Sequence, residues 1–68
     1  MGPWQKVFST DLQHRAEIVK EMLGAEGIAG IVVNKRDTAY NNFGMYEVHV
    51  QADNVIKSLR VIEGVKFE

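Results

Sequence analysis

The chain has 68 residues, enough for a single small domain over 1–68. Eight basic and nine acidic residues give a net charge of −1, which argues against a dedicated nucleic-acid binder, because such proteins normally carry a basic stripe. The chain contains no cysteine, so disulfides and thiolate zinc sites are excluded. A domain of this size has a marginal core, and association is the expected outside support.

The cellular location of the protein is predicted from the absence of two kinds of apolar segment in the sequence. No apolar run approaches the roughly 20 residues that span a bilayer. Residues 1–6 lack the apolar centre of a signal peptide. We therefore predict a cytoplasmic protein that meets no membrane, and the sequence indicates no cofactor.

The first predicted element is a strand over 4–9, which is rich in aromatic and β-branched residues. Strand alternation would place Trp4, Lys6 and Phe8 on one face, and Val7 and Ser9 on the other. Two aromatic side chains beside a lysine could stack single-stranded RNA. RNA binding by this sheet is therefore the third functional hypothesis, although the chain is slightly acidic.

A helix is predicted over 11–26. Its apolar residues recur at steps of four, three and four, with two more widening the stripe into a face: Leu12, Ala16, Val19 and Leu23, then Ile18 and Met22. Thr10 and Gln13 have the spacing of a capping box, and Gly27 suits the left-handed position that closes a helix.

The polar face of this helix carries His14, Glu17 and Glu21 at steps of three and four. That spacing could hold a metal ion. Charge pairs on a solvated helix face explain it equally well, and we predict the solvated face and no metal site.

A second strand is predicted over 28–34, where the almost continuous apolar run is typical of a strand covered on both faces. Gly30 within it indicates a bulge or a close backbone approach. Residues 35–44 follow without a sustained period and are predicted to be a loop, the most mobile internal segment and the one that carries recognition.

This loop holds the densest group of cationic and aromatic side chains in the chain: Lys35, Arg36, Tyr40 and Phe43. Such a group could hold a phosphate and stack a base, and we take these four residues as the candidate ligand- or partner-binding site. The alternative is a solvated loop whose aromatic residues fold back on the sheet edge.

A third strand is predicted over 45–51, with the apolar Val48 and Val50 on one side. Glu47 and His49 share the other side, where a carboxylate could orient an imidazole for base work. No motif places a hydroxyl or thiol nucleophile beside them. We therefore predict no catalytic residue and place His49 on an uncovered sheet face.

The last predicted helix covers 52–63, and it turns four apolar residues inward: Val55, Ile56, Leu59 and Ile62. Asp53 or Asn54 lies near its start, and Gly64 ends it. Residues 65–68 alternate as a short edge strand does, and a frayed tail fits them equally well.

The order of these elements predicts an α+β fold, a ferredoxin-like β-α-β-β-α(-β) sandwich with two helices on one face of a mostly antiparallel sheet. The predicted core joins the helices to the third strand: Leu12, Ala16, Val19, Leu23, Val55, Leu59 and Ile62 with Val48 and Val50. The candidate residues of the uncovered face are Trp4, Lys6, Phe8, Glu47 and His49. An apolar face left in water favours self-association, as a two-fold dimer or a trimer.

Five segments carry a resemblance to a known family: Val7-Phe8-Ser9-Thr10, Ala16-Glu17-Ile18-Val19-Lys20-Glu21-Met22-Leu23, Glu26-Gly27-Ile28, Glu47-Val48-His49-Val50 and Ala52-Asp53. Over about 6–62 the chain resembles a family of short bacterial proteins that is labelled signal-transducing and classed among the domains of unknown function. The resemblance implies a fold like that of the PII nitrogen-regulatory proteins, trimers of ferredoxin-like units that bind nucleotide between subunits. In those proteins the loop between the second and third strands contacts targets, and residues 35–44 occupy the corresponding place. The resemblance implies no catalytic residues.

These patterns together predict a non-enzymatic regulatory or protein-interaction module of signal transduction, with a protein partner and no membrane or nucleic-acid partner. The alternative function is a sensor that binds a small molecule or nucleotide between subunits.

Overall fold

A computed structural model of the chain describes residues 3–36 and 44–67. It contains β1 (Trp4–Thr10), α1 (Gln13–Ala25), β2 (Gly30–Arg36) and β3 (Gly44–Gln51), then a one-turn 3₁₀ helix (Ala52–Asn54) and α2 (Val55–Glu63). The strands form an antiparallel sheet in the order β1-β3-β2. The predicted α+β class is confirmed, with three antiparallel strands and two α-helices in the described part of the chain. Neither helix in these two ranges is long and apolar enough to cross a membrane.

The core lies between the helices and one face of the sheet. Its buried members are Ala16, Val19, Leu23, Ile28, Val48 and Val50. Partly buried side chains pack around them: Val7, Phe8, Val32, Tyr46, Val55, Val61, Ile62 and Phe67. Because Tyr46, Val48 and Val50 alternate along β3, they point to one face, and the predicted division of this strand is confirmed.

The end of α1 follows the prediction, whereas its start does not. Gly27 has a φ of 81°, and the N–H of Ile28 donates to the carbonyl of Leu23 at 2.9 Å, as in a Schellman motif. At the start, the Thr10 hydroxyl accepts from the N–H of Leu12 at 3.1 Å. The predicted capping box is therefore wrong, because the Thr10 side chain closes a turn before the helix begins and, among residues 3–36 and 44–67, no side chain caps α1.

A bulge in β1 changes the faces of its residues. Lys6 lies opposite His49 and Phe8 opposite Val48, so Val7 is an extra residue in the ladder. Phe8 consequently packs on the core beneath the helices, as Val7 does. The prediction that Phe8 shares a face with Trp4 and Lys6 is wrong.

Both helices bury a narrower face than their periodicity predicts. Five apolar side chains predicted to face inward are exposed: Leu12, Ile18, Met22, Ile56 and Leu59. In α2 the fully buried residue is Ser58, three positions after Val55 and four before Ile62, so these three share one stripe. That rotation leaves Ile56 71% exposed. In α1, Leu12 precedes the first helical residue, Gln13.

The strand β2 also differs from its prediction. β2 is an edge strand with Ile31 exposed, so the prediction that it is covered on both faces is wrong. Its register with β3 is regular, and a Cβ at Gly30 would lie 3.6 Å from a Leu23 methyl carbon, an ordinary contact.

The tail after α2 is neither a strand nor frayed over 65–67. The Phe67 ring lies 5.8 Å from the ring of Phe8, and the Arg15 guanidinium lies 5.0 Å from the Phe67 centroid. A tilted aromatic contact and a cation–π contact thus hold the tail against β1 and α1.

Candidate functional site

The sheet face opposite the helices, hereafter the open face, carries the candidate site. Its residues are those of β3 that alternate with Tyr46, Val48 and Val50, together with their cross-strand neighbours in β1 and β2: Trp4, Lys6, Ser9, Ile31, Val33, Lys35, Met45, Glu47, His49 and Gln51. The central strand therefore contributes a carboxylate and an imidazole, and each edge strand contributes a lysine.

Glu47 is the centre of a charged cluster on this face. The Nε2 atom of His49 lies 2.9 Å from Oε1 of Glu47. The Nζ atom of Lys6 lies 3.8 Å from Oε2, and that of Lys35 lies 3.9 Å from Oε1. One carboxylate thus meets three nitrogen groups from three strands.

The strand register explains why these residues meet. His49 is two positions from Glu47 on β3, so the two share a face. Lys6 lies opposite His49 and Lys35 opposite Met45, which places the lysines on opposite diagonals of Glu47. Diagonal neighbours lie within reach of long side chains, so both lysines can extend to the central carboxylate.

The cluster is shielded at its centre and open at its sides. The side chains of Glu47 and His49 are 12% and 18% exposed, whereas those of Lys6 and Lys35 are 55% and 63% exposed. The hydrogen bond from His49 lowers the pKa of Glu47 below its usual value; partial burial opposes this shift, and Lys35 and Lys6 support it. Glu47 is therefore ionised at neutral pH, and since a carboxylate only accepts hydrogen bonds, Nε2 donates.

Apolar side chains border this charged cluster. Trp4 lies opposite Gln51 at one end of β3, Met45 lies near the other end, and Ile31 lies opposite His49. All three are exposed large hydrophobic residues. The open face therefore combines a charged centre with exposed apolar side chains around it.

The dependence of stability on acid pH tests the ion pairs and the hydrogen bond of Glu47. Because the folded pKa of Glu47 lies below its ordinary value of 4.5, the folded state gains stability from this group above that value and loses it as pH falls through the folded pKa. We expect Glu47→Gln to flatten the dependence of the urea midpoint on pH below about 4.5. Glu21→Gln, at an exposed position on α1, is the control. Equal acid dependence in the parent chain and Glu47→Gln would contradict the assignment.

The structure brings together four of the five residues predicted for the uncovered face, namely Trp4, Lys6, Glu47 and His49, and excludes Phe8. Without Phe8 the predicted pair of stacking aromatic residues is wrong, which removes the main support for RNA binding. Ser9 faces Glu47 across the ladder, a position that the strand prediction missed. Among the described contacts no hydrogen bond joins the Ser9 hydroxyl to His49.

The predicted cationic and aromatic group of residues 35–44 is described only in part. Lys35 belongs to β2 and turns to Glu47, so the predicted loop begins too early. Arg36 is the last residue of β2, and its side chain lies outside the described residues, as do Tyr40 and Phe43 in full. The binding role of this group stays a prediction.

The helix residues His14, Glu17 and Glu21 do not form a metal site. No three His, Asp or Glu side chains within 3–36 and 44–67 lie close enough together to hold a metal ion.

Comparisons of the chain with protein-family models, curated proteins and solved structures find no match. The resemblance to bacterial signal-transducing proteins therefore stays a prediction.

Proposed function

We propose that this protein is a non-enzymatic regulatory or protein-interaction module of cytoplasmic signal transduction, and that it binds its partner through the open face. The observation that carries the proposal is the exposure of Trp4, Ile31 and Met45 around the ion-paired Glu47. Interfaces are enriched in tryptophan and methionine. The helices already cover the other face of the sheet, so the open face is the side of the sheet that a partner can reach.

We further propose that the fold is ferredoxin-like and similar to that of PII proteins. The order β1-β3-β2 supports this, because β1 and β2 flank the strand that follows them in the chain. In β1-α1-β2 the helix connects two strands that have β3 between them. This arrangement is a split β-α-β unit, the first half of a ferredoxin-like fold. Fold alone does not give function, so the functional proposal depends on the residues of the open face.

A comparison of two triple variants tests the functional proposal. The first replaces Trp4, Ile31 and Met45 by serine on the open face. The control replaces the exposed helix residues Ile18, Ile56 and Leu59 by serine. Each tagged chain is incubated with a lysate of the source cells, and the retained proteins are quantified by mass spectrometry after circular dichroism has verified folding.

We expect at least one protein to be retained by the parent chain and by the helix control but lost from the open-face variant. The proposal is wrong if all three chains retain the same proteins, or if loss of retention follows the helix variant instead.

A further inference from the structure

We propose that the partner of the open face is an acidic protein segment, one that places carboxylates beside the exposed Lys6 and Lys35 and apolar side chains on either side of them. This inference rests on the proposed function, since it names the chemistry of the partner at the same surface.

The first argument for an acidic partner is the net charge of the open face. Lys6 and Lys35 contribute +2 and Glu47 contributes −1, so the described cluster sums to +1 with His49 neutral. The whole chain carries −1, so this face has the opposite sign to the rest of the molecule. A complementary partner surface is therefore negative.

The availability of the charged groups strengthens this argument. The carboxylate of Glu47 is only 12% exposed and already accepts a hydrogen bond from His49. Both lysine nitrogens are more than 3.5 Å from it, beyond hydrogen-bond range. Each ammonium group has three donors, which leaves donors for a second carboxylate. The open face consequently presents its positive groups to solvent and shields its negative one.

The apolar border indicates a protein segment in preference to a free anion. Trp4 lies opposite Gln51, and Met45 is six residues from Gln51 along β3, a distance of about 20 Å in a strand. An extended segment of about six residues spans that distance, with central carboxylates near the lysines and apolar side chains near Trp4 and Met45. Free phosphate or a small acid would leave these apolar side chains exposed.

Two other occupants fit less well. A second copy stacked face to face would bring together two surfaces of the same net positive charge, and like charges disfavour association. Single-stranded RNA is negative, but it is bound largely by stacking on aromatic residues. The only aromatic side chain that the described open face offers is Trp4, since Phe8 packs beneath the helices.

The fluorescence of Trp4 provides a direct test, because Trp4 is the single tryptophan of the chain and lies on the open face. The probes are three seven-residue peptides with leucine at both ends and serine at the even positions. Positions three and five are aspartate, asparagine or lysine, so that these side chains share one face of the extended peptide with the leucines. Each peptide is titrated into the full chain at low and high salt. We expect the acidic peptide to bind with the highest affinity of the three, as measured by the change in Trp4 emission. Added salt should weaken its binding.

Matched lysine variants locate the binding. Lys6→Gln and Lys35→Gln should each weaken binding of the acidic peptide about two- to five-fold, as expected for exposed ion pairs. Lys57→Gln, at an exposed position on α2, should leave the affinity unchanged. Equal binding of the three peptides, no binding of the acidic one, or equal affinities in all the lysine variants would overturn the proposal.

Two further measurements identify the competing occupants. The first is a titration with a uridine oligonucleotide. The face would be assigned to RNA if the oligonucleotide changed Trp4 emission in the parent chain but not in the lysine variants, and if the acidic peptide did not change the emission of the parent chain. Sedimentation equilibrium that gives twice the monomer mass, together with Trp4 emission shifted to the blue on assembly, would assign it to a second copy. Either result overturns the acidic segment. If the peptide fails while the open-face triple variant still loses a captured protein, only the proposed partner chemistry is wrong.

Discussion

Leu23→Ala is expected to lower the free energy of unfolding by about 2–5 kcal/mol, the range for truncating a buried leucine. Leu23 is fully buried in the core cluster with Val48. It also supplies the carbonyl that accepts from Ile28 at the end of α1. The truncation would open a cavity between the helix and the central strand, where tight packing on both sides leaves little room for collapse.

The measurement is urea denaturation followed by circular dichroism. Because small domains have free energies of unfolding of about 5 kcal/mol, this single change should leave the chain close to unfolding at 25 °C. Leu59→Ala is the matched control, with the same chemical change at a side chain that is 43% exposed on α2. It should cost less than half as much. Equal losses in the two variants would contradict the observed positions of these leucines.

The sequence predicts the elements well where one periodic signal is undisturbed. The alternation of Val48 and Val50 with Glu47 and His49 fixes the two faces of β3, and the observed burial agrees with it. Gly27 fixes the end of α1 because its positive φ is one that glycine adopts without a steric penalty.

Prediction fails where one residue breaks the period. The extra residue Val7 turns Phe8 to the helix side, and no property of valine indicates a bulge in advance. In α2 a serine lies at the centre of the buried stripe. An analysis of apolar spacing therefore adds the exposed Ile56 and Leu59 to the inward-facing Val55 and Ile62, and it misses Ser58. Tertiary packing determines the rotation of this helix, and the sequence of the helix alone does not contain that information.

The candidate site is predicted only as far as it lies within one strand. Glu47 and His49 are two residues apart, and their contact follows from strand geometry. The contributions of Lys6 and Lys35 depend on how β1 and β2 pair with β3, which a single sequence does not specify. For the same reason the sequence alone does not predict that Ile31 and Val33 lie on the open face.

Ser58→Ala is expected to raise the free energy of unfolding by about 1 kcal/mol, the lower end of the cost of an unsatisfied buried polar group. Ser58 is fully buried, and its Oγ atom has no hydrogen-bond partner in the described part of the chain. Alanine removes that hydroxyl and is also the better helix former. Both effects favour the folded state, and the lost oxygen leaves only a small void.

The same urea titration compares Ser58→Ala with Ser9→Ala, a serine at an exposed position of β1. The control substitution should change the free energy of unfolding by less than about 0.5 kcal/mol, as is usual on a surface. A destabilised Ser58→Ala would mean that the hydroxyl bonds to a carbonyl of the preceding turn, and the assignment of Oγ as unpaired would be wrong. A stabilised variant would show that α2 retains a polar residue at the centre of its buried stripe at a measurable cost in stability. The same serine interrupts the apolar spacing from which the inward face of α2 is predicted.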